Sequence, residues 1–199
     1  MLKLAVLISG GGSNLKALIE ATKDPDFPAE IVCVGADTDA SGLAHAAAAQ
    51  IPNFVVRPAD FASRSEWGEA LAAAIRAFDV DLVVSAGLMR ILPAGFVSEF
   101  SPALINTHPA LLPLFPGAHA VSDALAAGAS ETGVTVHIID EGVDTGPVLR
   151  QAVVAVRPGE TEDDLHERIK REERPLLVGT VRAIADGSLD LAAAAAAHQ

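Results

Sequence analysis

The chain has 199 residues, half of them hydrophobic, with a formal net charge of −12 and a single cysteine. This length and hydrophobic content predict one domain with a full core, and no apolar run reaches the roughly 18 residues that a membrane span requires. The acidic balance argues against a nucleic-acid partner, because such partners are bound by clustered Lys and Arg. Since Cys33 has no partner cysteine, no disulfide can form within the chain, and we expect a cytoplasmic protein.

The N-terminal residues predict a strand, a glycine turn and a helix. Residues 2–8 are a near-continuous apolar run, typical of a strand covered on both faces. The turn Ser-Gly-Gly-Gly-Ser-Asn at 9–14 precedes apolar residues at helical spacing, so its N–H groups and the helix end could bind an anion. The turn is neither a GxGxxG fingerprint nor a P-loop. An equally open alternative is that the glycines only permit a tight turn and that Ser13 or Asn14 caps the helix.

The middle of the chain alternates predicted strands with predicted helices. Ser63 and Glu66 have the spacing of a capping box, which marks one helix start. The connection at 86–93 is unusually apolar for a loop and predicts either packing under the next helix or a pocket for a flat ligand. We predict strands at 31–35, 54–56 and 80–85, and helices at 41–50, 63–78 and 93–100.

Asn106-Thr107-His108-Pro109 follows an apolar run at 102–105 that predicts a short buried strand. Residues two apart on a strand point the same way, so Asn106 and His108 should share a face at the strand's carboxyl end, where open α/β sheets bind ligands. This pair suits a carbonyl that gains negative charge, because an amide can hold the oxygen and an imidazole can move a proton. The alternative is a turn-forming asparagine and a structural histidine.

The last third predicts two further strands and a long helix. Strands at 132–139 and 148–156 are joined by an acidic, glycine-rich loop rather than a crossover helix, so they should pair antiparallel at one sheet edge. A helix should span about 161–185, with Pro175 as a kink or register break. The predicted fold class is α/β, with a doubly wound, mostly parallel Rossmann-like sheet, an antiparallel edge and a long C-terminal helix. Residues 1–187 should form the domain and residues 188–199 a tail, which we expect to be mobile over 192–199.

Three segments together resemble the folate-dependent formyltransferases. They are the glycine turn at 9–14, Asn-Thr-His-Pro at 106–109 with Leu-Leu-Pro at 111–113, and Val-Asp-Thr-Gly-Pro at 143–147. The similarity runs from about Leu2 to Gly187. It implies transfer of a formyl group from 10-formyltetrahydrofolate, as co-substrate and without a metal, to the amine of N1-(5-phospho-D-ribosyl)glycinamide (glycinamide ribonucleotide) in purine (IMP) biosynthesis. The implied partners are small molecules, and a homodimer is compatible with the family.

The resemblance also implies roles for individual residues. The catalytic residues are Asn106 and a protonated His108, which stabilise the oxyanion, and Asp144, which orients His108 and helps carry the proton of the amine. The N-terminal part, about 1–100, is the phosphate side, and about 101–187 is the catalytic and folate side. The ribonucleotide is assigned to Gly12, Ser13, Asn14 and Glu173, and the folate to Arg64, Met89, Arg90, Ile91, Leu92, Asn106, Asp140, Glu141, Val143 and Asp144.

Some positions depart from the family pattern or lie beside the site. Leu114 stands where related enzymes commonly have a lysine, and Val121 where some have a histidine, which should weaken attraction for phosphate or for the folate tail. His119 and His137 correspond to positions near the site, and we expect them to pack there rather than carry protons. The histidines lack ligand spacing, and no metal site is expected.

Three alternatives share this scaffold. Formyltetrahydrofolate deformylase uses water as acceptor and needs no phosphate site, so the glycine turn favours the transferase. Methionyl-tRNA formyltransferase would have to bind RNA, which the acidic balance disfavours. A non-catalytic nucleotide-binding module on the same fold is the third, since fold alone does not imply function.

Overall fold

Seven strands form one sheet in the computed structural model, which describes residues 1–198. The strands are β1 (Leu2–Ile8), β2 (Ala29–Ala36), β3 (Asn53–Val55), β4 (Leu82–Ser85), β5 (Leu104–His108), β6 (Glu131–Ile138) and β7 (Val148–Ala155). Their order across the sheet is β3-β2-β1-β4-β5-β6-β7. The first five strands are parallel to one another, and β6 pairs antiparallel with both β5 and β7. The predicted fold class is therefore confirmed.

Helices cover both faces of this sheet. They are α1 (Ser13–Ala21), α2 (Leu43–Ala48), α3 (Arg64–Arg76), α4 (Ala94–Phe100), α5 (Ala120–Ala126), α6 (Glu162–Ala185) and α7 (Leu191–His198), with a short 3-10 turn at Pro58–Asp60. The predicted cap of α3 is confirmed, because the Ser63 Oγ accepts a hydrogen bond from the Glu66 N–H. The helix α6 extends through Pro175. Of the helices formed by residues 1–198, none combines the length and the apolar character needed to cross a bilayer.

Alternation along β1 divides the core into two layers. Leu4, Val6 and Ile8 face one side, where they pack with α1, α2 and α6, whereas Ala5 and Leu7 face α3 and α4 on the other. All five side chains are almost fully buried. A strand that is buried on both faces has a continuous run of apolar residues, and for this reason the sequence predicts a strand at residues 2–8. The buried Cys33 lies in the second layer, where burial raises the pKa of its thiol to about 12.

The strand β5 extends further than the apolar run alone predicts. Asn106 pairs with Ser85 of β4 and with His137 of β6, and His108 pairs with Thr135 of β6. These polar residues therefore belong to the strand itself, because ladders on both sides hold the backbone of Asn106 and the ladder with β6 holds that of His108. Side chains on a strand inside a sheet are positioned more accurately than side chains on a loop.

Within the predicted tail at 188–199, residues 191–198 form the helix α7. Asp190 caps this helix, since its Oδ1 accepts hydrogen bonds from the N–H groups of Ala192 and Ala193. Leu191 packs against the first core layer. The part of the predicted tail at Gln199 lies outside the described residues.

Candidate active site

A cavity of about 390 Å³ opens at the carboxyl ends of β4 and β5. Open α/β sheets bind ligands at this edge. The walls come from the β4–α4 connection at 87–92 (the 87–92 loop), the end of β5, the start of α5, the β6–β7 loop and the start of α6. Its volume is within the range of small-molecule sites, roughly 300–1,000 Å³.

Asn106, His108 and Asp144 meet on one wall of this cavity. The two β5 residues lie two apart on the strand and both line the cavity, as the strand period predicted. Asp144 reaches them from the β6–β7 loop with its backbone in the left-handed region, at φ 55°. Its Oδ2 lies 3.3 Å from the His108 Nδ1. Few residues other than glycine adopt such a φ, and such outliers concentrate at functional sites.

The imidazole of His108 lies between two hydrogen-bond acceptors. On one side is the Asp144 carboxylate, and on the other the Phe115 carbonyl oxygen, 2.7 Å from the Nε2. A neutral imidazole carries one N–H and can donate to only one of these oxygens, whereas imidazolium can donate to both. The ring is thus held from both sides in a buried position, at 4% exposure.

His137 packs against the same carboxylate from β6. Its Nδ1 donates to the Ile138 carbonyl oxygen over 2.9 Å. The Nε2 then lies 3.5 Å from the Asp144 Oδ1 and 3.4 Å from the Asn106 Nδ2. This histidine thus contacts two of the three predicted catalytic residues.

The carboxyl group of Asp144 is kept ionised by its surroundings. Burial alone would raise its pKa. The neighbouring His137, a hydrogen bond from the Gly117 N–H and the electrostatic influence of both histidines more than offset burial and leave the pKa below its ordinary value. A carboxylate is therefore present beside His108 at neutral pH.

The glycine turn lies beside this wall and begins α1. Gly12 occupies the N-cap position at φ 67°, and no side chain caps the helix. A side chain at Gly12 would also approach the Cα of Gly42 to 3.1 Å. Asn14 is buried and its Nδ2 lies 3.5 Å from the Thr107 Oγ1, which connects the turn to β5. Capping by Ser13 or Asn14, the structural alternative, is not what this helix uses.

The 87–92 loop forms the opposite wall. All of its residues line the cavity, and Met89 and Ile91 expose most of their apolar side chains at 77% and 55%. Leu92 instead packs into the second core layer. The connection therefore packs against the core through Leu88 and Leu92, as one of the two sequence interpretations expects, and its residues also line the cavity.

The remaining predicted residues are distributed unevenly around the cavity. Asp140 and Val143 line it, whereas Glu141 is exposed between them. Glu173 is buried on α6, and Arg64 is exposed at the start of α3. Those outside the lining are Gly12, Ser13, Asn14, Arg64, Glu141 and Glu173.

Several features of the site were not predicted. Glu162 and His166 line it from the first turns of α6. They are four residues apart and so share a helix face, but no motif marks them. The carbonyl group of Phe115 was also missed, because every residue has one and sequence carries no signal for it. Within residues 1–198, no group of His, Cys, Asp and Glu side chains is arranged to hold a metal ion.

Comparisons with known proteins identify relatives over nearly the whole chain. The formyl transferase family model matches residues 2–181. A phosphoribosylglycinamide formyltransferase of Mycobacterium tuberculosis is 52% identical over 92% of this chain and 85% of its own length. The trifunctional purine biosynthetic protein adenosine-3 of Drosophila melanogaster is 47% identical over 86% of this chain and 13% of its own length. The crystal structure of glycinamide ribonucleotide transformylase 1 from Symbiobacterium toebii superposes with a TM-score of 0.91 at 39% identity, covering 94% of this chain and 89% of that one.

Proposed function

The chain belongs to the formyl transferase family, and we propose that the cavity at the ends of β4 and β5 is its active site. The chain is an enzyme that transfers the formyl group of 10-formyltetrahydrofolate to the amine of glycinamide ribonucleotide in purine biosynthesis. The observation that carries the assignment to this cavity is the meeting of Asn106, His108 and Asp144 on one wall.

The proposed chemistry begins with attack of the amine nitrogen on the formyl carbon. A new C–N bond forms and the formyl oxygen becomes an oxyanion, which the Asn106 amide and protonated His108 stabilise. The bond from carbon to the folate N10 then breaks, and the proton lost by the amine is delivered to N10. Asp144 holds the imidazole in place and assists this proton transfer. Because both nitrogens of His108 already face acceptors, a hydrogen bond to the oxyanion must share or replace one of those contacts.

The glycine turn is proposed to hold the ribonucleotide phosphate. The N–H groups of Gly12, Ser13 and Asn14 lie at the start of α1, where the helix dipole favours an anion. The Oδ1 of Asn14 is buried without a hydrogen-bond partner among the described residues, which is consistent with a ligand contact. Glu173, buried on α6, is proposed to hold the sugar or amine end.

The folate is proposed to bind against the 87–92 loop. A pterin is a flat ring with polar edges, and the apolar side chains of Met89 and Ile91 offer a surface for its faces. Backbone groups of the loop, together with the β6–β7 loop at 140–144, would contact the edges. Arg64 lies outside the cavity lining and would contact only the part of the folate that extends outward.

Formyltetrahydrofolate deformylase is the alternative activity. Water would then replace the amine, and a phosphate site would have no purpose. Gly12 has a left-handed φ and lies close to the backbone of Gly42, so the turn leaves its N–H groups free of side-chain cover. This supports a phosphate site and hence the transferase.

The protein is also proposed to be a homodimer in the cytoplasm. The strand β7 forms one edge of the sheet and exposes Val148 and Val153, and such an edge can pair with a second copy. The single cysteine supports a reducing compartment. Light scattering on the purified protein tests the dimer, and the mass of one chain would contradict it.

The experiment that tests the activity is a formyl-transfer assay in which glycinamide ribonucleotide is present or omitted. The folate product is followed by its absorbance. Turnover that requires the ribonucleotide supports the transferase, whereas equal turnover without it would establish the hydrolase. No turnover in either case would favour the non-catalytic module.

A further inference from the structure

Asp37 and Arg90 form an ion pair between the end of β2 and the 87–92 loop. The Arg90 Nε donates to the Asp37 Oδ2 over 2.6 Å. The Asp37 side chain is only 3% exposed, whereas the Arg90 side chain is half exposed and lines the cavity. The two residues are 53 apart in sequence, so the pair is a tertiary contact that fixes the loop against the sheet.

Burial of Asp37 makes this contact hard to release. Its second oxygen, Oδ1, is buried and has no hydrogen-bond partner among the described residues. A buried carboxylate that loses its cation is strongly destabilised, because neither water nor another donor replaces it. The conformation of the 87–92 loop that presents Arg90 is therefore favoured over conformations that withdraw it.

A neighbouring residue attaches the same loop a second time. The Ser9 Oγ accepts a hydrogen bond from the Met89 N–H over 2.8 Å, and the Ser9 N–H donates to the Gly87 carbonyl oxygen. Ser9 directly follows β1 and Asp37 directly follows β2, and the last residues of these two strands, Ile8 and Ala36, pair with each other. Two adjacent strand ends thus hold three points of the loop.

We propose that Asp37 is a positioning residue that, through Arg90, fixes the 87–92 loop in the conformation that binds the folate co-substrate. The inference rests on the proposed function only in taking this loop as the folate wall. Asp37 lies outside the cavity lining, so it acts on the ligand through Arg90 and not by direct contact.

A matched control lies two residues further along the chain. Asp39 forms an ion pair with Arg57, but both side chains are substantially exposed, at 80% and 43%. Exposed pairs contribute little, because water replaces the lost partner. The Asp39→Asn variant therefore makes the same chemical change without disturbing the cavity wall.

The test compares Asp37→Asn with wild-type enzyme and with Asp39→Asn. We expect the KM for 10-formyltetrahydrofolate to rise about tenfold in Asp37→Asn, because a charged hydrogen bond becomes a neutral one. The kcat and the KM for glycinamide ribonucleotide should stay within about twofold, and Asp39→Asn should match wild type. The double variant Asp37→Asn with Arg90→Gln should bind the folate no more weakly than Arg90→Gln alone.

Calorimetric titration with tetrahydrofolate gives a second readout that needs no turnover. The affinity should fall by the same factor as the KM rises. Unchanged affinity in Asp37→Asn would overturn the proposal, as would additive losses in the double variant. A parallel change in kcat and both KM values, with a lower Tm, would show a general structural role and also overturn it. If wild-type enzyme binds tetrahydrofolate without transferring formyl groups, the proposed function fails while the titration still decides the role of Asp37.

Discussion

The His108 Nδ1 lies 3.3 Å from the Asp144 Oδ2, and the opposite nitrogen of the same ring contacts a backbone carbonyl oxygen. Two acceptors on one imidazole hold it in place. Because the strand β5 supplies the histidine and the β6–β7 loop supplies the carboxylate, the geometry of this pair depends on that loop being in place.

Replacing His108 with alanine should lower kcat by about a hundredfold or more, the usual contribution of an acid–base group. Steady-state kinetics with both substrates saturating measures the change. His45→Ala is the control, since His45 lies on α2 and does not line the cavity. Near-normal kcat in His108→Ala would remove the histidine from the mechanism.

Asp144→Asn should change the pH dependence of stability. The folded pKa of Asp144 lies below its ordinary value, so the ionised carboxylate stabilises the fold above the unfolded pKa of about 3.9. This stabilisation is lost as the pH falls through the folded pKa. Urea unfolding of both proteins should therefore give a free-energy difference that is constant from about pH 5 to 7 and shrinks below about pH 4. A difference that grows on acidification would have the opposite sign and contradict the assignment.

Gly12→Ala should raise the KM for glycinamide ribonucleotide and leave the KM for the folate near its wild-type value. Alanine disfavours the left-handed φ of 67°, at a cost of about 1–2 kcal/mol, and its Cβ would press on Gly42. Gly10→Ala is the control, because a Cβ at Gly10 meets no atom within 4 Å and its φ is not positive. Equal effects of both substitutions would show that the turn responds to any side chain, and a specific phosphate cradle at Gly12 would be unsupported.

Helix α7 should restrain the β6–β7 loop. The His198 Nε2 donates to the Thr145 carbonyl oxygen over 2.9 Å, directly after Asp144 in the chain. His198→Ala should increase hydrogen exchange of residues 140–145 and raise the KM for the folate a few-fold, as expected for loss of one hydrogen bond of about 1 kcal/mol. Ala197→Ser, at an exposed position of the same helix, should leave exchange unchanged. Identical exchange in both variants would show that α7 does not restrain the loop.

The sequence predicted the features that follow from periodicity. Asn106 and His108 were placed on one strand face because residues alternate along a strand, and the layers of β1 followed from its unbroken apolar run. Asp144 has no such signal, since an aspartate in an acidic loop is usually a turn residue. It was identified only by resemblance to the family.

Features that depend on tertiary contacts were not predictable in this way. The Phe115 carbonyl and the Asp37–Arg90 pair join segments by geometry that neither residue type indicates. The helix α7 is different, because its signals were present. Asp190 is a good N-cap and alanine has the highest helix propensity, but a terminal alanine run was interpreted as a tail.

The most direct test of the central claim is the stoichiometry of the reaction. Tetrahydrofolate released and formylated glycinamide ribonucleotide formed are measured in the same samples over many turnovers. Formyl transfer by the Asn106, His108 and Asp144 site predicts one formylated ribonucleotide for each tetrahydrofolate, with both products falling together in His108→Ala. Tetrahydrofolate in large excess, with formate in place of the formylated amine, would contradict the account and identify water as the acceptor.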